Sequence, residues 1–166
     1  LITSNMLASL KGITRHPTAI RRIVACDPSL GGDECPIGLI ENGGIKEKKT
    51  LIGERNAMVI AGEMITMCIL WTTRSFAIDY SGGLCEAIAS RIREVMPSAY
   101  VYSLNSSEGS ADPERWNNLR TEMWWSLMDK ILKHEIPYPE DEELRRQLSA
   151  VRFKVDGWLV SHVRGP

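Results

Sequence analysis

Two short apolar runs in this chain each end in an aspartate that a glycine-containing turn follows. Residues 22–26 precede Asp27, and residues 75–78 precede Asp79. Apolar runs of this length are typical of buried strands, so each carboxylate is expected at the end of a strand in a core sheet. Carboxylate oxygens suit divalent cations, and glycine lets a ligand approach the backbone closely. The pattern therefore indicates a divalent-metal site, although an aspartate at such a place also begins turns or caps helices.

Composition limits the classes of protein to which the chain can belong. With 166 residues, of which 43% are hydrophobic and 25% charged, the sequence is that of a globular domain and not of a disordered chain. The net charge of −1 provides no overall attraction to nucleic acid, so any such contact must come from a local patch. The four cysteines show no C-x-x-C spacing, which argues against structural zinc and favours reduced thiols. No apolar stretch is long enough to predict a membrane span.

The periodicity along the chain predicts an α/β domain in the order β-β-β-α-β-α-β-α-α-β. The predicted strands are 21–26, 36–41, 45–52, 74–78, 99–104 and 151–160, and the predicted helices are 56–70, 83–95, 113–133 and 140–150. The first 20 residues are expected to be a connector or an N-terminal helix. Residues 42–44 (Asn-Gly-Gly) predict a hairpin turn. This order implies a mixed central sheet, three antiparallel strands and then parallel ones, with helices on both faces. The first and fourth strands would be neighbours, which would bring Asp27 and Asp79 together.

Four segments of the sequence carry a resemblance to a known family. They are VACDPSLGGDE (24–34), FAIDYSGG (76–83), SADPERWNNLRTEMWWSL (110–127) and PEDEELRRQL (139–148). Their order and spacing resemble the nuclease domain of the large terminase subunit of tailed bacteriophages, which has the RNase H-like (retroviral-integrase-like) fold. The similarity runs over residues 22–160. Its most specific part is the N-x-R-x-E-M-W-W stretch at 118–125.

The resemblance implies a function and two site residues. Asp27 and Asp79 match the family's first two metal-binding aspartates. The implied activity is that of a hydrolase, an Mg²⁺- or Mn²⁺-dependent endonuclease that cuts concatemeric double-stranded DNA during genome packaging. The implied partners are DNA, the portal protein and the small terminase subunit, in the cytoplasm of the bacterial host. Two ions about 3.5–4 Å apart would serve the hydrolysis, with Asp27 bridging them and Asp79 on one ion.

The chain also departs from the family pattern. The family has a third acidic residue near a C-terminal helix, in a segment like S-P-D-x-A-D-A, and the chain contains no such segment. Asp156 and His162 are the nearest candidates, but neither lies in that motif, so the third carboxylate is unknown. We expect that the nuclease domain, residues 21–166, is truncated at its C-terminus and that the fragment is weakly active or inactive. A phosphate-binding loop of the G-x-x-x-x-G-K-[ST] type is absent from the sequence, so the ATPase half is not part of it.

Two further functional assignments remain open at this stage. The chain is an alternative candidate for a non-catalytic RNase H-like module that binds DNA or the portal, because the third carboxylate is missing. It is also an alternative candidate for another RNase H-like nuclease of the resolvase or transposase type, although the tryptophan-rich helix and the acidic segment at 139–143 argue against this.

Several residues have both a functional and a structural interpretation. Asp33 and its neighbour Glu34 would be outer ligands of the metal or solvated turn residues. The lysines of the third strand would contact DNA phosphates, or they would block aggregation at a sheet edge. They are Lys46, Lys48 and Lys49. Trp124 and Trp125 would stack on bases, but their helical spacing with other apolar residues favours core packing.

Overall fold

The structure is a computed structural model that describes residues 1–13, 19–28, 34–80, 83–156 and 159–163, with the backbone alone for 154–156 and 159–163. Its elements follow the predicted order. The helices are α1 (Ser4–Ala8), α2 (Ala57–Leu70), α3 (Leu84–Val95), α4 (Leu119–Leu132) and α5 (Glu142–Ala150). The strands are β1 (Arg22–Cys26), β2 (Glu34–Glu41), β3 (Gly44–Ile52), β4 (Ser75–Asp79), β5 (Tyr100–Leu104), β6 (Arg152–Asp156) and β7 (Leu159–Val163). They belong to two compact units, residues 18–105 and residues 1–17 with 106–166.

A five-stranded mixed sheet forms the frame of residues 18–105. Its spatial order is β3-β2-β1-β4-β5. The first three strands pair antiparallel, whereas β4 pairs parallel with β1 and β5 pairs parallel with β4. The predicted mixed sheet is confirmed, with β1 and β4 as neighbours.

Alternation along the strands gives the sheet two chemically different faces. Val24 and Cys26 of β1 pair in register with Phe76 and Ile78 of β4, and all four are buried. These residues share one hydrophobic core with the buried sides of α2 and α3. Both helices therefore cover the same face of the sheet. The opposite face, which carries the paired Ala25 and Ala77, is called the distal face below.

The turn between β2 and β3 has the backbone that its sequence predicts. Asn42 and Gly43 both adopt positive φ, 51° and 86°, which these residue types tolerate better than others. The Asn42 side chain also accepts a hydrogen bond from the backbone N–H of Arg21, at 2.9 Å. The turn thus ties the hairpin to the residue that precedes β1.

Residues 1–17 and 106–166 have a separate hydrophobic core. Its buried members are Ile2, Leu7, Leu10, Ile131 and Ile136, and Trp124 and Met128 pack against them while remaining partly exposed. Trp125 contacts the rings of Trp116 and Phe153, with centroid distances of 5.0 and 5.1 Å. Both tryptophans of α4 therefore have packing partners within this unit, although neither is fully buried. The predicted terminal strand, residues 151–160, is an antiparallel pair of strands, β6 and β7. No helix among the described residues has the length and apolar character needed to cross a bilayer.

The prediction that the long helix begins at Pro113 is wrong, because α4 begins at Leu119. Asn118 is extended and caps the helix: its Oδ1 accepts from the Thr121 N–H at 2.9 Å and from the Thr121 hydroxyl at 3.0 Å. At the upstream Asp112, the backbone carbonyl accepts from the Trp116 N–H within a short turn. Asp112 and Asn118 are both good capping residues, and α4 begins after Asn118.

We expect Asn118→Ala to lower the free energy of unfolding by about 1–2 kcal/mol, because it removes the acceptor of two Thr121 donors on a buried residue. Asn118→Asp keeps the acceptor and adds a charge that the helix N-terminus favours, so its loss should be much smaller. Urea denaturation of the three proteins measures both values. An equal loss in the two variants would contradict the capping role.

Candidate metal centre

The carboxyl ends of β1 and β4 place Asp27 and Asp79 side by side. The parallel register pairs Cys26 with Ile78, and the next position on each strand is the aspartate. Neighbouring strands lie about 4.8 Å apart. The backbone hydrogen bonding continues on both flanks: Asp27 donates to the Pro36 carbonyl at 3.2 Å, and Tyr80 donates to the Leu104 carbonyl at 2.9 Å. The predicted neighbourhood of these two residues in the sheet is confirmed.

Strand alternation also places both aspartates on one face of the sheet. Each follows a paired alanine, Ala25 or Ala77, by two positions, and residues two apart in a strand share a face. Asp27 is exposed, whereas Asp79 is half-buried. Both therefore belong to the distal face, at its edge.

The Asp79 carboxylate has a buried oxygen that lacks a partner. Its Oδ1 is inaccessible to solvent and accepts no hydrogen bond from any group in the described part of the chain. A buried polar atom without a partner is costly, more so when it belongs to a charged group. A cation would offset this cost, and carboxylate oxygens are the donors that Mg²⁺ and Mn²⁺ prefer. The residues present therefore fit a divalent ion.

The described residues supply only part of a complete ligand set. Among them, no group of three or more histidine, cysteine or acidic side chains is arranged to hold a metal. Asp33 lies outside the described residues, and Glu34 is an exposed residue that starts β2. Asp156 and His162 lie in β6 and β7, where only the backbone is described. The third carboxylate therefore stays unknown.

Buried thiols lie next to this site in the sequence but do not add ligands. Cys26 and Cys35 are buried, with their sulfur atoms 3.7 Å apart, and Cys85 is buried at the start of α3. Burial raises the pKa of Cys26 far above its usual range, with smaller contributions from Cys35 and from the charge of Asp27. Burial also raises the pKa of Cys85. The thiols of Cys26 and Cys85 therefore stay protonated at neutral pH, and only the thiolate is a metal ligand.

The three lysines proposed to contact DNA do not share one face of the sheet. Lys49 pairs in register with Ile37 on the helix-covered side, and its ammonium group lies 2.6 Å from Glu63 of α2. Lys48 pairs with Gly38, which in turn pairs with Ala25, so it belongs to the distal face. Lys46 is exposed and lies 3.9 Å from Glu41. The run of lysines in the sequence is therefore not a single basic patch.

Comparison with solved structures identifies the fold. The nuclease domain of the large terminase subunit gp2 of bacterial virus Sf6 superposes with a TM-score of 0.70, over 97% of this chain and 83% of that one, at 12% identity. The large terminase nuclease from thermophilic phage G20c with bound magnesium gives 0.63, over 91% and 75%, at 12% identity. This chain has the fold of a large-terminase nuclease domain. No family model matches the chain, and no curated protein does.

The terminase-like fold agrees with the five-stranded mixed sheet described above. Among the similar structures, a K428A mutant of the Sf6 domain was solved with manganese and with calcium, and the G20c nuclease with magnesium and with cobalt. Those ions belong to the neighbours. The observation in this chain that points the same way is the buried oxygen of Asp79, for which the described residues offer no partner.

In the presence of a chelator, we expect Asp79→Asn to raise the melting temperature by a few degrees. The amide is nearly isosteric, and it removes both a buried charge and the repulsion from the neighbouring Asp27, an effect of about 1 kcal/mol. Differential scanning calorimetry in the metal-free protein measures it. Glu94→Gln, at an α3 carboxylate whose side chain is 69% exposed, is the matched control and should leave the temperature within a degree.

With Mn²⁺ or Mg²⁺ added, the melting temperature of wild type should exceed that of Asp79→Asn. The ion binds the native state only, so it stabilises wild type by an amount that grows with its concentration. Asp79→Asn loses a ligand and should shift little. If the ions raise the melting temperature of both proteins equally, Asp79 is not a ligand.

Proposed function

We propose that this chain is the metal-dependent endonuclease domain of a viral genome-packaging terminase, which cuts concatemeric double-stranded DNA. The observation that carries the proposal is the pair of neighbouring aspartates at the carboxyl edge of the central sheet, one with a buried oxygen that has no partner among the described residues. The terminase-like fold supports the same function.

The residues of the chain have defined tasks in this proposal. Asp27 and Asp79 would hold the divalent cations, Mg²⁺ or Mn²⁺. When bound, such ions stabilise charge on the phosphate and lower the pKa of a water nucleophile. The sheet keeps both carboxylates in place before substrate arrives, so little reorganisation is needed during the reaction. The unknown third carboxylate would complete the site.

The biological setting follows from the same proposal. The substrate is double-stranded DNA, and the partners are the portal protein and the small terminase subunit. The place of action is the cytoplasm of the bacterial host. These partners rest on the resemblance to the terminase family and on the fold.

One observation favours a second function, a non-catalytic RNase H-like module that binds DNA or the portal. The described residues contain no third metal ligand beside the two aspartates. A module of this kind would keep the fold and bind partners without cutting.

Cleavage assays separate the two functions. We expect nicking of supercoiled plasmid to require Mg²⁺ or Mn²⁺ and to stop when a chelator is added. Asp27→Asn and Asp79→Asn should each reduce the rate at least a hundredfold, because each loses a charge that holds an ion near the phosphate. Circular dichroism verifies that both variants are folded.

A longer chain that continues past Pro166 is the companion sample, since it tests whether a third carboxylate lies there. Cutting by the longer chain alone would support the nuclease and place the missing ligand beyond Pro166. Robust cutting by Asp27→Asn in either chain would refute the assignment of the site. Metal-independent DNA binding without cutting in both chains would favour the non-catalytic module.

The division of the lysines between faces predicts unequal effects on DNA binding. Lys48→Ala removes a cation from the face that carries the aspartates, so it should weaken duplex binding several-fold and lower the salt dependence. Lys49→Ala removes a cation that lies on the other face against Glu63, and its effect should be small. Fluorescence anisotropy with a duplex at two salt concentrations compares them. Equal losses would mean that sheet faces do not decide the DNA contact.

A further inference from the structure

Strand β5 directs its large side chains away from the core. Tyr100 and Tyr102 are 64% and 53% exposed, whereas Val101 between them packs against the hydrophobic core. Aromatic side chains in strands usually contribute to burial. Two exposed tyrosines at alternate positions therefore form a surface that the folding of this sheet does not require.

The register places both tyrosines on the face that carries the aspartates. Tyr100 pairs with Ser75, and Tyr102 pairs with Ala77, two positions before Asp79. The neighbours in β4 are thus small residues, which leave room beside each ring. In the five-stranded sheet, β5 is an edge strand with β4 as its neighbour.

The spacing of the tyrosines is close to the length of two nucleotide steps in stacked DNA. Residues two apart in a strand lie about 6.6 Å apart, which is close to twice the roughly 3.4 Å rise per nucleotide of DNA. Tyr102 lies one strand across from Asp79 and two residues back, so their Cα atoms are about 8 Å apart by strand geometry. A nucleotide stacked on Tyr102 would therefore be within one or two phosphates of the carboxylates.

The groups along β4 and β5 on the distal face suit a nucleic-acid strand. Two aromatic rings and the two carboxylates that are proposed to hold cations follow one another there. This order fits a DNA strand whose phosphates meet the cations while its bases meet the rings.

We infer that Tyr100 and Tyr102 are a stacking platform for unpaired nucleotides next to the cleavage position. The inference rests on the proposed nuclease function and specifies its substrate further. Stacking on a side chain needs an exposed base face, which the interior of a duplex does not offer. The platform therefore binds a strand that is locally unpaired or frayed beside the cut.

Binding of oligonucleotides in the presence of a chelator tests the platform without any cleavage. The probes are a fluorescein-labelled dT12 strand and a hairpin duplex of equal charge. Tyr100→Thr and Tyr102→Thr remove the rings but keep a residue type that favours strands. Each should weaken dT12 binding about tenfold, since stacking on one aromatic ring contributes that much or more. Tyr→Phe at each position should stay within about twofold of wild type, and hairpin binding should change little.

A matched control separates the platform from general effects on the sheet. Ile52→Thr, at a 72% exposed position of β3, should leave dT12 binding unchanged. Thermal unfolding verifies that every variant is folded. The inference is overturned if the threonine variants bind dT12 as wild type does. That outcome would favour a protein partner at Tyr100 and Tyr102. It is equally overturned if phenylalanine and threonine variants lose the same affinity, which would assign the effect to the hydroxyl.

The outcomes also distinguish this inference from the nuclease proposal. If the threonine variants lose dT12 affinity while no sample cuts DNA, the platform stands and the nuclease assignment fails. If DNA is cut while the threonine variants bind dT12 as tightly as wild type, the nuclease stands and the platform fails.

Discussion

The parallel pairing of β1 with β4 is the interaction on which the rest of this structure depends. It joins an antiparallel hairpin sheet to a strand-helix-strand unit, so β1 is paired on both sides. The same pairing aligns Val24 and Cys26 with Phe76 and Ile78 under the two helices. A slip of one residue would move these apolar side chains to the wrong face. The core that fixes the register therefore also fixes which two residues follow it, and these are Asp27 and Asp79.

The core does more than support the site, because it sets the local dielectric. Beneath the carboxyl ends of β1 and β4 lie the protonated thiol of Cys26 and aliphatic side chains, which cannot solvate a charge. In such surroundings the uncompensated oxygen of Asp79 is more costly, and its attraction to a cation is stronger, than in water. The apolar core beneath the two strands thus strengthens the attraction between the carboxylate pair and a cation. A polar core at this place would weaken it.

Much of the fold and the central pair of the site could be predicted from the sequence. Apolar runs, the Asn-Gly turn and helical spacing are local features, and they located the strands of the sheet, α2, α3 and the neighbouring aspartates. The start of α4 could not be predicted, since Asp112 and Asn118 are both competent caps and tertiary context chose between them. The separation of Lys48 from Lys49 depends on strand register, and the roles of Tyr100 and Tyr102 depend on which face β5 turns to the helices. A composition or motif does not contain that information.

The two aspartates are about fifty positions apart in the chain, and the connection between β1 and β4 contains β2, β3 and α2. Pairings of such long sequence separation form slowly, because the entropy cost of closing the connection comes before the contact contributes any stabilisation. A nascent or partly folded chain therefore has two isolated carboxylates and lacks the carboxylate pair. In the proposed nuclease, the topology of the sheet would delay the activity until folding is complete.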